Sequence, residues 1–206
     1  MRTTLARCTP AALRRAARLL ERGELVAFPT ETVYGLGVRA DCARAIERIF
    51  AVKGRPGAKA LIVHVLSAAA ARPLCARWPR AAERLADAFW PGPLTLVLER
   101  GPALAAALPA SGHTVALRAP DHPATRQLLA LCDFPVAAPS ANLSGNAPPC
   151  TAAQVMEELG GLIPLVLDGG PVAGTPSTIV DLTREPAVVL RQGAVPEADV
   201  RAALGR

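Results

Sequence analysis

Short apolar runs alternate along this chain with stretches whose hydrophobic residues recur at helical spacing. LVAF at 25–28, ALIVHV at 60–65, LTLVLE at 94–99, TVALRA at 114–119, PVAA at 135–138, LIPLVL at 162–167, STIVDL at 177–182 and AVVLR at 187–191 have the length and composition of strands. Between many of them lie helical patterns. Thr9 and Pro10 predict an N-cap and first turn, leucines 13, 19 and 20 share one side, and Gly23 supplies a stop. DCARAIERIFAVK opens with Asp41 as an N-cap, RAAERLADAF follows Pro79, and HPATRQLLALC follows Asp121. TAAQVMEEL begins with Thr151 and Gln154 at capping-box spacing and stops at Gly160-Gly161, and PEADVRAAL forms a short final helix. Several late strands follow one another without a helix. The pattern therefore predicts an α/β fold with a mixed sheet, not a doubly wound parallel one. There is no internal repeat and no linker long enough to separate one domain from another, so residues 1–206 are expected to form a single domain.

Composition narrows the class. A hydrophobic content of 51% over 206 residues and a mean hydropathy of +0.28 describe a chain that buries a core. No apolar run reaches membrane-spanning length without a charge or proline, which predicts a soluble protein with no membrane partner. The acid-free N-terminus imitates a transit peptide, but its capping signals favour an ordinary first helix. Cysteines 8, 42, 75, 132 and 150 are odd in number, widely spaced and without CxxC. They predict reduced thiols in a cytoplasmic protein, neither a zinc site nor a disulfide framework. A formal net charge of +6 favours an anionic partner such as nucleotide, RNA or phosphate, whereas 3% aromatics count against a base-stacking platform.

Rare residues concentrate in three loops. Of 23 basic residues only Lys53 and Lys59 are lysine, and they flank Arg55 in KGRPGAK. The single tyrosine, Tyr34, lies in FPTETVYGLG, and the only asparagines, Asn142 and Asn146, lie in APSANLSGN. In the first loop Thr30, Thr32 and Tyr34 offer hydroxyls beside Glu31. The loop reads either as a glycine-containing turn with surface threonines or as a ligand loop, and its GLGVRA is a weak match to a dinucleotide fingerprint. KGRPGAK reads either as a solvated helix end or as a stiff cationic loop for polyphosphate. It is not a Walker A loop, because GxxxxGK[ST] is absent. His64 fits a polar position of an edge strand. Ser140 and Asn142 follow an apolar strand, where α/β folds place ligand groups, with no GxSxG elbow around the serine. Arg118 also follows an apolar strand and requires an anionic partner if buried. Ser177, Thr178 and Arg191 complete the set. No HExxH, cysteine cluster or close carboxylate pair is present.

Taken in order, FPTETVYGLG, KGRP followed by LIVHV, PGPLTLVL, VALRAPDHP, APSANLSG, STIVDL and LRQGAV resemble the YrdC-like threonylcarbamoyl-AMP synthases, from about residue 12 to 195. The resemblance implies a single YrdC-like domain with a twisted mixed sheet, flanking helices and a basic concave groove. It implies nucleotidyl transfer: L-threonine and bicarbonate give N-carboxythreonine, which attacks ATP to form threonylcarbamoyl-AMP and pyrophosphate with Mg²⁺ on the phosphates. The product would pass to a tRNA threonylcarbamoyltransferase complex for t6A modification, and direct tRNA contact is a further possibility. By motif position, Lys53, Arg55, Ser140 and Asn142 form the catalytic tetrad, and Arg55, Lys59, Thr114, Ser140 and Arg191 face ATP. Thr30, Thr32, Tyr34, His64, Arg118, Ala138, Ser177 and Thr178 are expected around threonine. The metal ligands are left open. Ala60 replaces a proline common in the family, and the chain is expected to be a short form without an extra C-terminal domain. The alternatives are an RNA-binding module, an inactive paralogue lacking that tetrad, and a carbamoyl-transfer domain of hydrogenase maturation.

Overall fold

A computed structural model of the chain describes residues 2–54, 61–104, 108 and 112–205. Its elements, in chain order, are β1 (Thr4–Arg7), α1 (Pro10–Glu21), β2 (Val26–Phe28), β3 (Gly35–Arg39), α2 (Ala43–Lys53), β4 (Ile62–His64), α3 (Ala68–Ala71), α4 (Arg80–Phe89), β5 (Leu94–Glu99), β6 (Thr114–Arg118), α5 (Pro123–Ala130), β7 (Val136–Ala137), α6 (Ala152–Leu159), β8 (Leu165–Asp168), β9 (Thr178–Asp181), β10 (Val188–Arg191) and α7 (Glu197–Leu204). The strands pair in the order β1-β8-β2-β3-β7-β4-β6-β5-β9-β10. Pairings β1/β8, β2/β8, β4/β6 and β5/β9 are parallel and the others antiparallel, so the sheet is mixed as expected.

Two apolar cores form because strand side chains alternate between faces. On β2, Ala27 joins one core while Val26 and Phe28 join the other; on β8, Val166 and the pair Leu165/Leu167 divide the same way. The smaller core is capped by Leu13, Ala16, Ala17 and Leu20 of α1 and by Ala124, Leu128 and Leu129 of α5. Val136 of β7 belongs to that core and pairs directly with His64 of β4. His64 in turn pairs with Arg118, and Ile62 with Ala116. These residues therefore share one face of the sheet, on the stretch of β4, β6 and β9 that lies beyond α1 and α5.

Three local expectations change. The helix over 43–53 is capped at Cys42, not Asp41, whose carboxylate instead pairs with Arg39 at 2.5 Å. GLGVR, read as a glycine loop, is strand β3. Its glycines serve proximity: a Cβ at Gly37 would lie 2.4 Å from Cε1 of Phe28. β1 carries too few apolar residues to announce itself; it is an edge strand with an alternating half-buried and exposed pattern. The first helix, by contrast, starts at Pro10 with Thr9 accepting from the Ala12 N–H, and Thr151 and Gln154 form the expected capping box. No helix among the described residues is long and apolar enough to cross a membrane.

Candidate functional site

The uncovered region of this sheet face is the floor of a cavity of about 250 Å³. Its walls include Thr30, Thr32, His64, Arg118, Ala138, Ser140, Ser177 and Arg191, eight of the residues singled out in the sequence, together with Ile62, Pro148 and Ile179. Four strand ends and three loops bring them together. The loop after β2 is folded by its own threonines. Thr30 Oγ1 donates to the Val33 carbonyl at 2.7 Å, accepts the Thr32 and Val33 N–H groups, and lies 2.8 Å from Thr32 Oγ1. Both threonines are buried, so the reading as surface threonines in a turn is set aside.

Arg118 is the electrostatic centre. Only 4% exposed, it donates from Nε to the Gly92 carbonyl at 3.2 Å and from Nη1 to Thr32 Oγ1 at 2.9 Å. Its Nη2 stands 2.6 Å from Glu31 Oε1 in an ion pair. Burial pulls the Arg118 pKa down from its usual value, and Glu31 opposes that shift. Beside it His64 is buried, edge-on to Phe28 at 6.1 Å, with Nδ1 lacking a hydrogen-bond partner. Burial and the neighbouring Arg118 charge push the His64 pKa down to about 3, so the imidazole is neutral near pH 7. Across the cavity Arg191 donates from Nε and Nη2 to the Ser177 carbonyl at 3.1 and 2.8 Å, and from Nη2 to Ser177 Oγ at 3.2 Å. Ser177 Oγ lies 2.8 Å from Thr95 Oγ1, a buried strand hydroxyl that the sequence reading passed over. Burial and Arg118 together lower the Arg191 pKa. Two cations, a neutral imidazole and several hydroxyls therefore converge, an arrangement that binds carboxylate or phosphate oxygens.

Lys53 is not on an exposed loop. It is 2% exposed and ends α2, where Gly54 adopts φ 56° as the C-cap. Its Nζ donates to the Ser140 carbonyl at 2.6 Å and to the Asn142 carbonyl. The lysine thus ties the end of α2 to the loop bearing Ser140. Asn142 Nδ2 donates to the Leu143 and Asn146 carbonyls, each at 2.8 Å, while its buried Oδ1 has no hydrogen-bond partner.

Other expected site residues lie elsewhere. Tyr34 and Thr178 are not among the residues of the cavity wall. The buried Tyr34 hydroxyl donates to the Gly170 carbonyl at 2.7 Å and accepts the Gly169 N–H; burial raises its pKa to about 12. Thr178 Oγ1 donates to the Val195 carbonyl at 2.6 Å and accepts from Gly193 and Val195, pinning the QGAV turn. Thr114 opens β6 on the same face as Arg118 but about 13 Å along the strand, outside the wall. Arg55 and Lys59, and with them much of the expected basic groove, lie outside the described residues. The half-buried Glu31 turns its carboxylate oxygens inward beside Arg118, a placement that composition does not signal.

Comparison with known proteins adds an independent line. The Sua5/YciO/YrdC family model, described as telomere recombination, matches residues 18–193. The threonylcarbamoyl-AMP synthase of Pyrococcus abyssi is 44% identical over 194 residues, covering 94% of this chain and 57% of the relative. That of Bacillus subtilis is 43% identical over 192 residues, covering 92% and 56%. The chain thus spans little more than half the length of these curated relatives. The crystal structure of P. abyssi Sua5 complexed with L-threonine superposes with a TM-score of 0.93 at 42% identity, covering 99% of this chain and 60% of that one.

Proposed function

The chain belongs to the Sua5/YciO/YrdC family, and on that premise we propose that it is a threonylcarbamoyl-AMP synthase. The supporting observation is the convergence of Thr32, His64, Arg118, Ala138, Ser140, Ser177 and Arg191 on one cavity. Those residues come from six separate motifs, Ala138 and Ser140 sharing one, and nothing in the spacing of the motifs requires that they meet. In this reading Arg118 receives the carboxylate of L-threonine. Thr30, Thr32, His64, Ser177 and the backbone at Ala138 surround the amino acid. The neutral His64 offers its unpartnered Nδ1 without adding charge.

The amine of threonine first takes up bicarbonate, losing water and forming N-carboxythreonine. A carbamate oxygen then attacks the α-phosphorus of ATP, and the bond to the β-phosphate bridging oxygen breaks, releasing pyrophosphate. Little covalent assistance is needed from the protein, so catalysis is positioning and charge neutralisation. Ser140 and Arg191 lie on the ATP side in this scheme, with Arg55, Lys59 and Thr114. Lys53 fixes the Ser140–Asn142 loop from behind. Among the described residues no group of three His, Cys, Asp or Glu side chains gathers to hold a metal. Mg²⁺ would arrive with the ATP phosphates, where it supplies charge neutralisation. The unpartnered Asn142 Oδ1 is an oxygen donor suited to face such an ion. The adenylate would then serve a separate tRNA threonylcarbamoyltransferase complex.

The test is pyrophosphate release from ATP with Mg²⁺, with bicarbonate and L-threonine omitted in turn. Release that requires both supports the reading. Release indifferent to threonine rejects it.

A further inference from the structure

Glu31 is unusual among the acids of this protein. Both of its carboxylate oxygens are buried, and Oε1 stands 2.6 Å from Arg118 Nη2 in an ion pair. Arg118 has two further anchors besides that contact, Nε on the Gly92 carbonyl and Nη1 on Thr32 Oγ1. What Glu31 adds to those two neutral acceptors is charge. Among the described residues no acid lines the cavity itself, and its walls carry two cations, Arg118 and Arg191. Glu31, one shell behind Arg118, cancels one of them. His122, beside Glu31 and Asp121, has an unpartnered buried Nδ1 and a lowered pKa dominated by burial, so it adds no compensating positive charge near pH 7.

We infer that Glu31 is a specificity-determining counter-charge, which favours entry of an amino-acid zwitterion over a compact inorganic dianion such as sulfate. N-carboxythreonine, formed after entry, carries its second negative charge toward the Arg191 side, away from Glu31. The inference rests on the proposed reading of the cavity as an amino-acid site. Its physical basis is simple. A zwitterion near Arg118 presents a carboxylate that Glu31 repels and an ammonium that Glu31 attracts, and the two effects largely cancel. A dianion such as sulfate meets only repulsion, doubled by its charge. Removing the Glu31 charge should then leave the zwitterion nearly unaffected and strengthen dianion binding.

The experiment is titration calorimetry of wild type, Glu31→Gln and Glu31→Asp with L-threonine and, separately, with sulfate in competition, at constant ionic strength. In Glu31→Gln we expect the sulfate constant to tighten about tenfold while that of L-threonine moves less than about threefold, as expected from a single unit charge several ångströms away. Glu31→Asp keeps the charge and should keep the wild-type ratio. Equal sulfate affinity in wild type and Glu31→Gln overturns the inference. So does an Asp variant, folded by circular dichroism, that binds sulfate as tightly as the Gln variant is expected to; this arm stands even if Glu31→Gln does not fold. Wild type that binds no L-threonine rejects the amino-acid reading, while the sulfate comparison still decides what Glu31 does.

Discussion

Lys53→Met removes a buried ammonium while keeping the length of its stem. In the native protein Nζ donates to the Ser140 carbonyl at 2.6 Å and to the Asn142 carbonyl. Hydrogen bonds involving a charged donor contribute about 1.5–3 kcal/mol each, and a buried acceptor stripped of its donor bears its desolvation cost. Relief of burying the ammonium offsets some of this. The net destabilisation should be about 3 kcal/mol, which for a domain of this size corresponds to a fall of about 6–12 °C in Tm. Calorimetric melting and urea denaturation of wild type and variant measure it directly. Because the tether holds the Ser140 loop, pyrophosphate release should fall with stability, and low temperature should not restore it fully. A Tm within about 1 °C of wild type would refute the reasoning, since it would mean that the lysine does not hold the α2 end to that loop.

Further outcomes follow from the same geometry. His64 has a folded pKa of about 3, below its ordinary value, so the unfolded chain binds the extra proton first. Its contribution to stability is thus full above about pH 6.5 and is lost as pH falls toward about 3. His64→Gln should flatten the decline in urea midpoint between pH 6.5 and 4; an unchanged slope would contradict the burial argument. Gly37→Ala places a methyl group 2.4 Å from Phe28 Cε1 and should cost about 1–3 kcal/mol, read as a lowered urea midpoint, with wild-type stability as the contrary result. Thr178→Val deletes the hydroxyl that holds Gly193 and Val195. It should cost about 1–3 kcal/mol and speed amide hydrogen exchange at 193–195; unchanged exchange there would show that the turn needs no clamp.

The sequence carried the mixed sheet and most of its elements because alternation and capping are local signals. Thr9, Pro10, Thr151 and Gln154 announce their helices within a few residues. β3 was missed for a tertiary reason: Gly35 and Gly37 look like a loop until the Phe28 ring is seen against the missing Cβ. Asp41 looked like a cap because its pairing with Arg39, two residues earlier, is seen only once the chain is folded. At the site, motif order pointed to Thr32, His64, Arg118, Ser140, Ser177 and Arg191, which do converge. It did not separate groups facing the cavity from groups holding its walls. Tyr34, Thr178 and Lys53 are polar residues in the same motifs, yet their polar atoms bond within the fold. Thr95 and Glu31 escaped because partners such as Ser177 and Arg118 lie far away in the chain.

The central claim is tested most directly by identifying the product. The protein is incubated with ATP, Mg²⁺, L-threonine and ¹³C-bicarbonate, quenched at once, and examined by mass spectrometry. The account predicts an adenylate containing threonine and one ¹³C atom, formed in step with pyrophosphate. Pyrophosphate without that species, or an adenylate without the label, would contradict it.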